Sequence, residues 1–141
     1  MPNERSLILF KPDCVTKSNV GKVLARYEAA GFTIHGIKMM SLSDEMLREH
    51  YSHVADEPFF PNIANFMQSA PVIAMVLEGN DVVAKVRTML GPTNPQNAEA
   101  GTIRGDFGES MMINVCHASD SPENGEIEVN RFFSESETFS Y

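Results

Sequence analysis

Apolar side chains recur along this chain with two periods, and each period predicts an element. Residues 6–10, Ser-Leu-Ile-Leu-Phe, form a short apolar run with the profile of a central strand. Lys11-Pro12-Asp13 ends it, because proline cannot donate to a ladder. Val20, Val23, Leu24 and Tyr27 share one helical face, and Gly31 stands where that helix would close. Residues 32–37 alternate in part and read as a second strand. Ser43-Asp44-Glu45 starts a helix that runs to Tyr51, with an N-cap hydroxyl and first-turn acids. Pro58-Phe59-Phe60-Pro61 reads as a break, and 63–67 as a short helix.

Residues 71–77 are almost all apolar, which predicts a strand buried on both faces. Gly79-Asn80-Asp81 turns into a helix with Val82, Val86 and Met89 on one side and Gly91 at its end. The stretch near 91–110 is rich in Gly, Pro, Thr and Asn and predicts a long loop insertion, a feature that usually serves function. Residues 111–115 read as the last strand and 122–133 as the last helix, with Pro122 in its first turn. The polar tail 134–141 is expected at the surface. Without the extra helix the order is βαββαβ. That predicts an α+β, ferredoxin-like fold: an antiparallel four-stranded sheet with helices packed on one face, in a single domain over 1–141.

Composition narrows the function. A net charge of −8 opposes binding to nucleic acid or to an anionic membrane, which both need a basic surface. No apolar run approaches the ~20 residues of a membrane span. Residues 1–5 lack a signal-peptide pattern, and two cysteines, Cys14 and Cys116, make no disulfide framework. A cytoplasmic protein is therefore expected. A polyanionic ligand would need a local cluster of cations within the acidic whole.

The richest stretch is Asn114-Val115-Cys116-His117-Ala118-Ser119-Asp120-Ser121, which sets a histidine between a strand and a helix start. A neutral imidazole is a nucleophile near neutral pH and accepts a phosphoryl group on one nitrogen when a partner orients the other. Ser119, Asp120 and Glu128 are candidate partners for His117. The competing explanation is a satisfied histidine at a strand end. Lys11, Arg87 and Arg104 stand at a strand end, on a helix and in the Gly-rich loop. Singly they read as a solvated lysine, a surface ion pair and a loop charge; together they suggest a phosphate site. No G-x-x-x-x-G-K-[ST] loop occurs, so side chains must hold much of any phosphate. Phe59 is either a core ring or a platform for a nucleobase. Cys116, adjacent to His117, would face the other side of a strand and reads as a buried structural thiol. His35, His50 and His53 lack the spacing of a zinc site and read as surface or packing residues.

These stretches, with Pro71-Val72, Leu77-Glu78-Gly79, Gly91, Thr93-Asn94-Pro95 and Gly101-Thr102-Ile103-Arg104-Gly105-Asp106-Phe107, resemble the nucleoside diphosphate kinase family over essentially the full length. The resemblance implies reversible transfer of a γ-phosphate from a nucleoside triphosphate to a nucleoside diphosphate. It also implies a ping-pong course through phosphohistidine on His117, supported by Ser119 and Glu128. Lys11, Tyr51, Arg87, Thr93, Arg104 and Asn114 fall on the family's phosphate- and sugar-contacting positions, and Phe59, with Ile63 beside it, on the base-stacking position. Broad base specificity is implied, as is Mg²⁺ bound through the nucleotide phosphates without protein ligands. So is a homo-oligomer, a tetramer or hexamer built from dimers. Ala118 departs from the usual glycine, and a modest effect is expected. Gly125, near the start of the last helix, is expected to loosen it by ~1 kcal/mol relative to alanine. A binding module without catalysis and a different histidine phosphotransfer protein or phosphohydrolase are the alternatives.

Overall fold

A computed structural model describes residues 3–141; the first two residues of the 1–5 stretch lie outside the described residues. Four strands, β1 (Asn3–Phe10), β2 (Thr33–Met40), β3 (Val72–Asn80) and β4 (Cys116–Ala118), form one sheet in the order β2-β3-β1-β4. Every neighbouring pair is antiparallel. This is the expected α+β plan.

The core lies on both faces of the sheet, not one. Leu7, Ile8, Leu9 and Phe10 are consecutive in β1 and fully buried. Alternate side chains point to opposite faces, so both faces need cover. Ile8 and Phe10, with Met75 and Leu77 of β3, meet Val23 and Tyr27 of α2 (Val20–Ala29) and Val82, Val83 and Val86 of α5 (Val82–Leu90). Leu7 and Leu9, with Ala74 and Val76, meet Leu47 of α3 (Asp44–His50), Phe60 and Met67 of α4 (Phe60–Met67), and Val129 and Phe132 of α7 (Pro122–Phe132). The inserted and last helices thus form the second layer.

The caps follow the sequence. Ser43 Oγ accepts from Met46 N at 3.0 Å, and Ser121 Oγ from Asn124 N at 3.1 Å. Gly91 ends α5 at φ +84°, and a Cβ there would crowd the Thr102 hydroxyl, so the turn suits glycine. Two short helices were not expected. Pro12 opens α1 (Pro12–Thr16), and Thr102 caps α6 (Ile103–Phe107), whose Gly105 N donates to the Thr102 hydroxyl at 3.0 Å. With a 3-10 turn at Pro95–Asn97, the 91–110 insertion is therefore partly helical. Pro61 starts α4 instead of breaking the chain, because proline fits a first helical turn. The tail reaches back to β2: Tyr141 Oη donates to Ile34 O at 2.7 Å, and Phe139 N to His35 O at 2.8 Å. No helix among the described residues is long and apolar enough to cross a membrane.

The last strand is displaced from its expected place. Residues 111–115 are irregular, and pairing begins at Cys116, with His117 opposite Leu9. The cause is Val115, at φ +79°. Cys116 N donates to Asn114 O at 2.9 Å, a three-residue turn of the strained hand. A strand cannot run through it.

Candidate active site

His117 lies in β4, on the sheet face opposite the buried Cys116 and Ala118, as strand alternation requires. Its Nε2 is 2.9 Å from Glu128 Oε1 on α7. The Ser119 hydroxyl donates to the same Oε1 at 2.8 Å and accepts from Leu7 N at 2.9 Å. Backbone of β1, hydroxyl, carboxylate and imidazole therefore form one chain. Burial pushes Glu128 up, but the hydrogen bond and charge of His117, with the Ser119 hydroxyl, outweigh it and hold the carboxyl down at about 2. An ionised carboxylate only accepts, so Nε2 of His117 carries a proton. In the neutral ring the lone pair is then on Nδ1.

The turn before this strand is held from β1 and α1. Val115 N donates to Asp13 Oδ2 at 3.0 Å, and Lys11 N to Val115 O at 2.9 Å. A β-branched residue in this conformation costs energy, of order 1–3 kcal/mol, and persists only where its surroundings over-determine it. Gly125 serves the same end of the molecule: α7 lies so close to β1 that a Cβ there would meet Arg5 O. Its place in the helix reflects that approach.

Lys11 is buried, and its Nζ donates to Met112 O and Asn114 Oδ1, both at 2.8 Å. Burial lowers its pKa to about 8, Asp13 opposing the shift and Arg104 adding to it. Arg104 is buried on α6 and donates to Asn114 O at 3.2 Å, Gly91 O at 3.2 Å and Cys116 O at 2.7 Å. Burial draws its pKa down from the usual guanidinium value. Three of its five N–H groups meet those carbonyls, and one ammonium N–H of Lys11 is likewise left over. Arg87, on α5, reaches Ala118 O at 3.4 Å. Asn114 spends its side chain inside the protein: Nδ2 donates to Thr93 O at 3.0 Å and Met111 O at 2.9 Å, while Oδ1 receives Lys11. It fastens the loop to the lysine.

These groups line one cleft of about 770 Å³, along with Tyr51, Phe59, Ile63, Thr93, His117 and Glu128. Of the residues predicted from the sequence only Ser119 does not reach it; Ser119 is fully buried behind Glu128. Phe59 is 48 % exposed at the start of α4, with Ile63 one turn on. Tyr51 follows α3, and burial together with Glu128 pushes its phenol up to about 12. Ala118 sits in β4 without a positive φ, so the backbone there does not require glycine.

The sequence does not single out Asp13, Met111, His50 or Arg131 as parts of the site. Asp13 reads only as part of Lys11-Pro12-Asp13, and Met111 as part of a strand. Met111 is 61 % exposed at the cleft. The sequence reads His50 as a surface or packing residue. It is buried and does pack, but against His117, with ring centroids 4.6 Å apart at 80°. Its position three residues after Leu47 puts it on the buried face of α3, a signal that was available. Arg131, on α7, lines the cleft beside it.

Known proteins resemble this chain in sequence and in fold. The family profile described as nucleoside diphosphate kinase matches residues 4–138. A nucleoside diphosphate kinase of Thermosynechococcus vestitus is 48% identical over 92% of this chain and 87% of its own length. One from Crocosphaera subtropica is 48% identical over 98% of this chain and 93% of its own. The Aquifex aeolicus nucleoside diphosphate kinase crystal structure superposes with a TM-score of 0.93 at 40% identity, covering 98% of this chain and 100% of that one. A halophilic nucleoside diphosphate kinase from Halobacterium salinarum, solved in complex with CDP, gives 0.95 at 37% identity, covering 99% and 93%.

Proposed function

The chain belongs to the nucleoside diphosphate kinase family, enzymes that transfer phosphate between nucleotides, and from that premise we propose that it works through a phosphohistidine on Nδ1 of His117. In the first half-reaction Nδ1 attacks the γ-phosphorus of a nucleoside triphosphate. A P–N bond forms, the bond to the β-phosphate oxygen breaks, and the diphosphate leaves. In the second half an acceptor diphosphate oxygen takes the phosphoryl group back, restoring the imidazole. The observation that carries this reading is the 2.9 Å contact of Nε2 with a carboxylate held at about 2. It leaves the lone pair on the other nitrogen, and the anionic partner stabilises the positive charge the ring gains on attack.

Phosphoryl transfer spreads negative charge over the equatorial oxygens, so catalysis is mostly positioning and electrostatics. Lys11, Arg87 and Arg104 supply cations to the same cleft. The Thr93 hydroxyl is exposed and able to donate; Asn114 contributes by holding Lys11 and the Thr93 carbonyl in place. Phe59, Ile63 and Met111 offer an aromatic and apolar rim. A π-face accepts any base, which supports broad specificity, and the halophilic relative was solved with CDP.

Mg²⁺ would enter with the nucleotide phosphates. Among the described residues the one cluster of three potential metal-ligating side chains is His50, His117 and Glu128, which is nitrogen-rich, whereas Mg²⁺ demands oxygen. When bound it would neutralise part of the phosphate charge beside Lys11 and Arg104. Assembly from dimers is supported by the edge strand β2, where Ile37 and Met39 are exposed; light scattering tests it.

The decisive experiment is incubation with γ-labelled ATP and Mg²⁺. The expected product is an acid-labile, alkali-stable phosphoprotein that a nucleoside diphosphate discharges. Label persisting in His117→Ala, or released only to water, would overturn the proposal.

A further inference from the structure

His50, His117 and Glu128 each bring one nitrogen or oxygen to within 4.8 Å of the others. Two imidazoles and a carboxylate are the donor set of many zinc sites. Such a site favours Zn²⁺ or Cu²⁺ over Mg²⁺. An ion there would replace the proton between His117 and Glu128 and take the ring out of service.

Arg131 stands against this. Its Nη1 is 3.0 Å from His50 Nδ1, and its Nε is 2.9 Å from Glu49 Oε2. The side chain is only 15% exposed, so the pair is held in a partly dry setting. A guanidinium only donates, so Nδ1 of His50 must accept. An accepting Nδ1 carries no proton, so the ring is neutral. A neutral ring has one lone pair, so Nε2 carries the proton. Metal-bound imidazole has the opposite surroundings: its second nitrogen donates to a carboxylate or carbonyl. Whichever nitrogen of His50 a metal approached, one is capped by a guanidinium and the other by a proton. Phe132 and Tyr51, whose rings stand edge-on to His50 at 5.1 and 5.0 Å, keep it from turning away.

We propose that Arg131 fixes His50 in the Nε2–H tautomer and so keeps a latent transition-metal site, His50–His117–Glu128, closed beside the catalytic histidine. Arg131 is a positioning residue that acts through His50. The test uses the full chain, stripped of metal, with zinc chloride titrated against a chromophoric chelator near neutral pH. Arg131→Leu is expected to bind zinc roughly 10- to 100-fold more tightly than the parent. Adding His50→Phe to that variant is expected to remove the gain. Equal affinity of parent and Arg131→Leu, or a tight site that survives His50→Phe, overturns the proposal. Nitrogen-15 correlation spectra of the unmutated protein give a check that needs no variant: His50 should report Nε2–H, and an Nδ1–H or doubly protonated ring would sink the idea. Both readouts are independent of turnover. A protein that never labels on His117 would therefore contradict the reading of its activity and leave this one standing.

Discussion

The two sides of the cleft are built differently. On one, His117, Glu128 and Ser119 are tied to β1 by a continuous chain of hydrogen bonds that leaves Nδ1 of the imidazole without a partner in it. On the other, Lys11 and Arg104 bond to loop carbonyls yet keep donors in reserve. The proposed nucleophile is thus complete before any substrate arrives, while the cations would be completed by it. This suits phosphoryl transfer, in which the enzyme needs a fixed attacking atom and a field that strengthens as charge develops.

Changes on the two sides should then fail in different ways. Arg104→Ala removes a cation and the donor to three carbonyls. We expect kcat/KM to fall by roughly 10²- to 10³-fold, with both nucleotide binding and the rate of phosphoenzyme formation affected and the melting temperature lowered. Stopped-flow phosphorylation over a range of nucleotide concentrations separates these terms. Intact binding with only a slower chemical step would erase the contrast between the two sides. Glu128→Gln keeps the shape but loses the anion that fixes the tautomer. Here kcat is expected to drop on the order of 10²-fold while KM stays close to the parent value, a split readable from single-turnover traces. A large rise in KM would mean that Glu128 meets the substrate instead of orienting His117.

The side that sequence reasoning recovered best is the one built on regular elements. The continuous apolar runs of β1 and β3 and the helical period of α2 and α5 were legible because burial of apolar side chains is the reason each exists. The residues singled out by the resemblance, Ser119 apart, line one cleft, but their local chemistry was hidden. Valine at 115 favours a strand by propensity, and only long-range bonds from Asp13 and Lys11 hold it in the turn that shifts β4. Asn114 looks like a free donor in the sequence and is fully engaged in the fold. The second helical layer followed from runs with no polar alternation, which the one-face expectation overlooked. His50 packs, as one of its two readings has it, but its place in the site is hidden in the sequence, since Arg131 and Phe132 come from α7, some 80 residues away by the order of the chain.

The smallest expected effect is a pH dependence, and it isolates the cation side. Glu128 titrates at about 2 and His50 at about 3, so neither changes charge in the alkaline range. Lys11 does, because burial brings it down to about 8. In the empty cleft it loses its proton above that value, and kcat/KM should fall with rising pH by at most tenfold per unit. Lys11→Arg keeps its charge at any such pH and should flatten this limb at the cost of a poorer fit. The contribution of Lys11 to stability has the opposite sign. Between about 8 and the ordinary lysine value the unfolded chain holds the proton that the folded chain has released, so stability from this group rises with pH. Burial raises Tyr27 and Cys116, which pull the other way at higher pH, so the comparison must be parent against Lys11→Met by denaturant titration. The parent should gain on the variant as pH climbs through 8 while its activity declines. Activity and relative stability moving together would show that Lys11 is not the group being titrated.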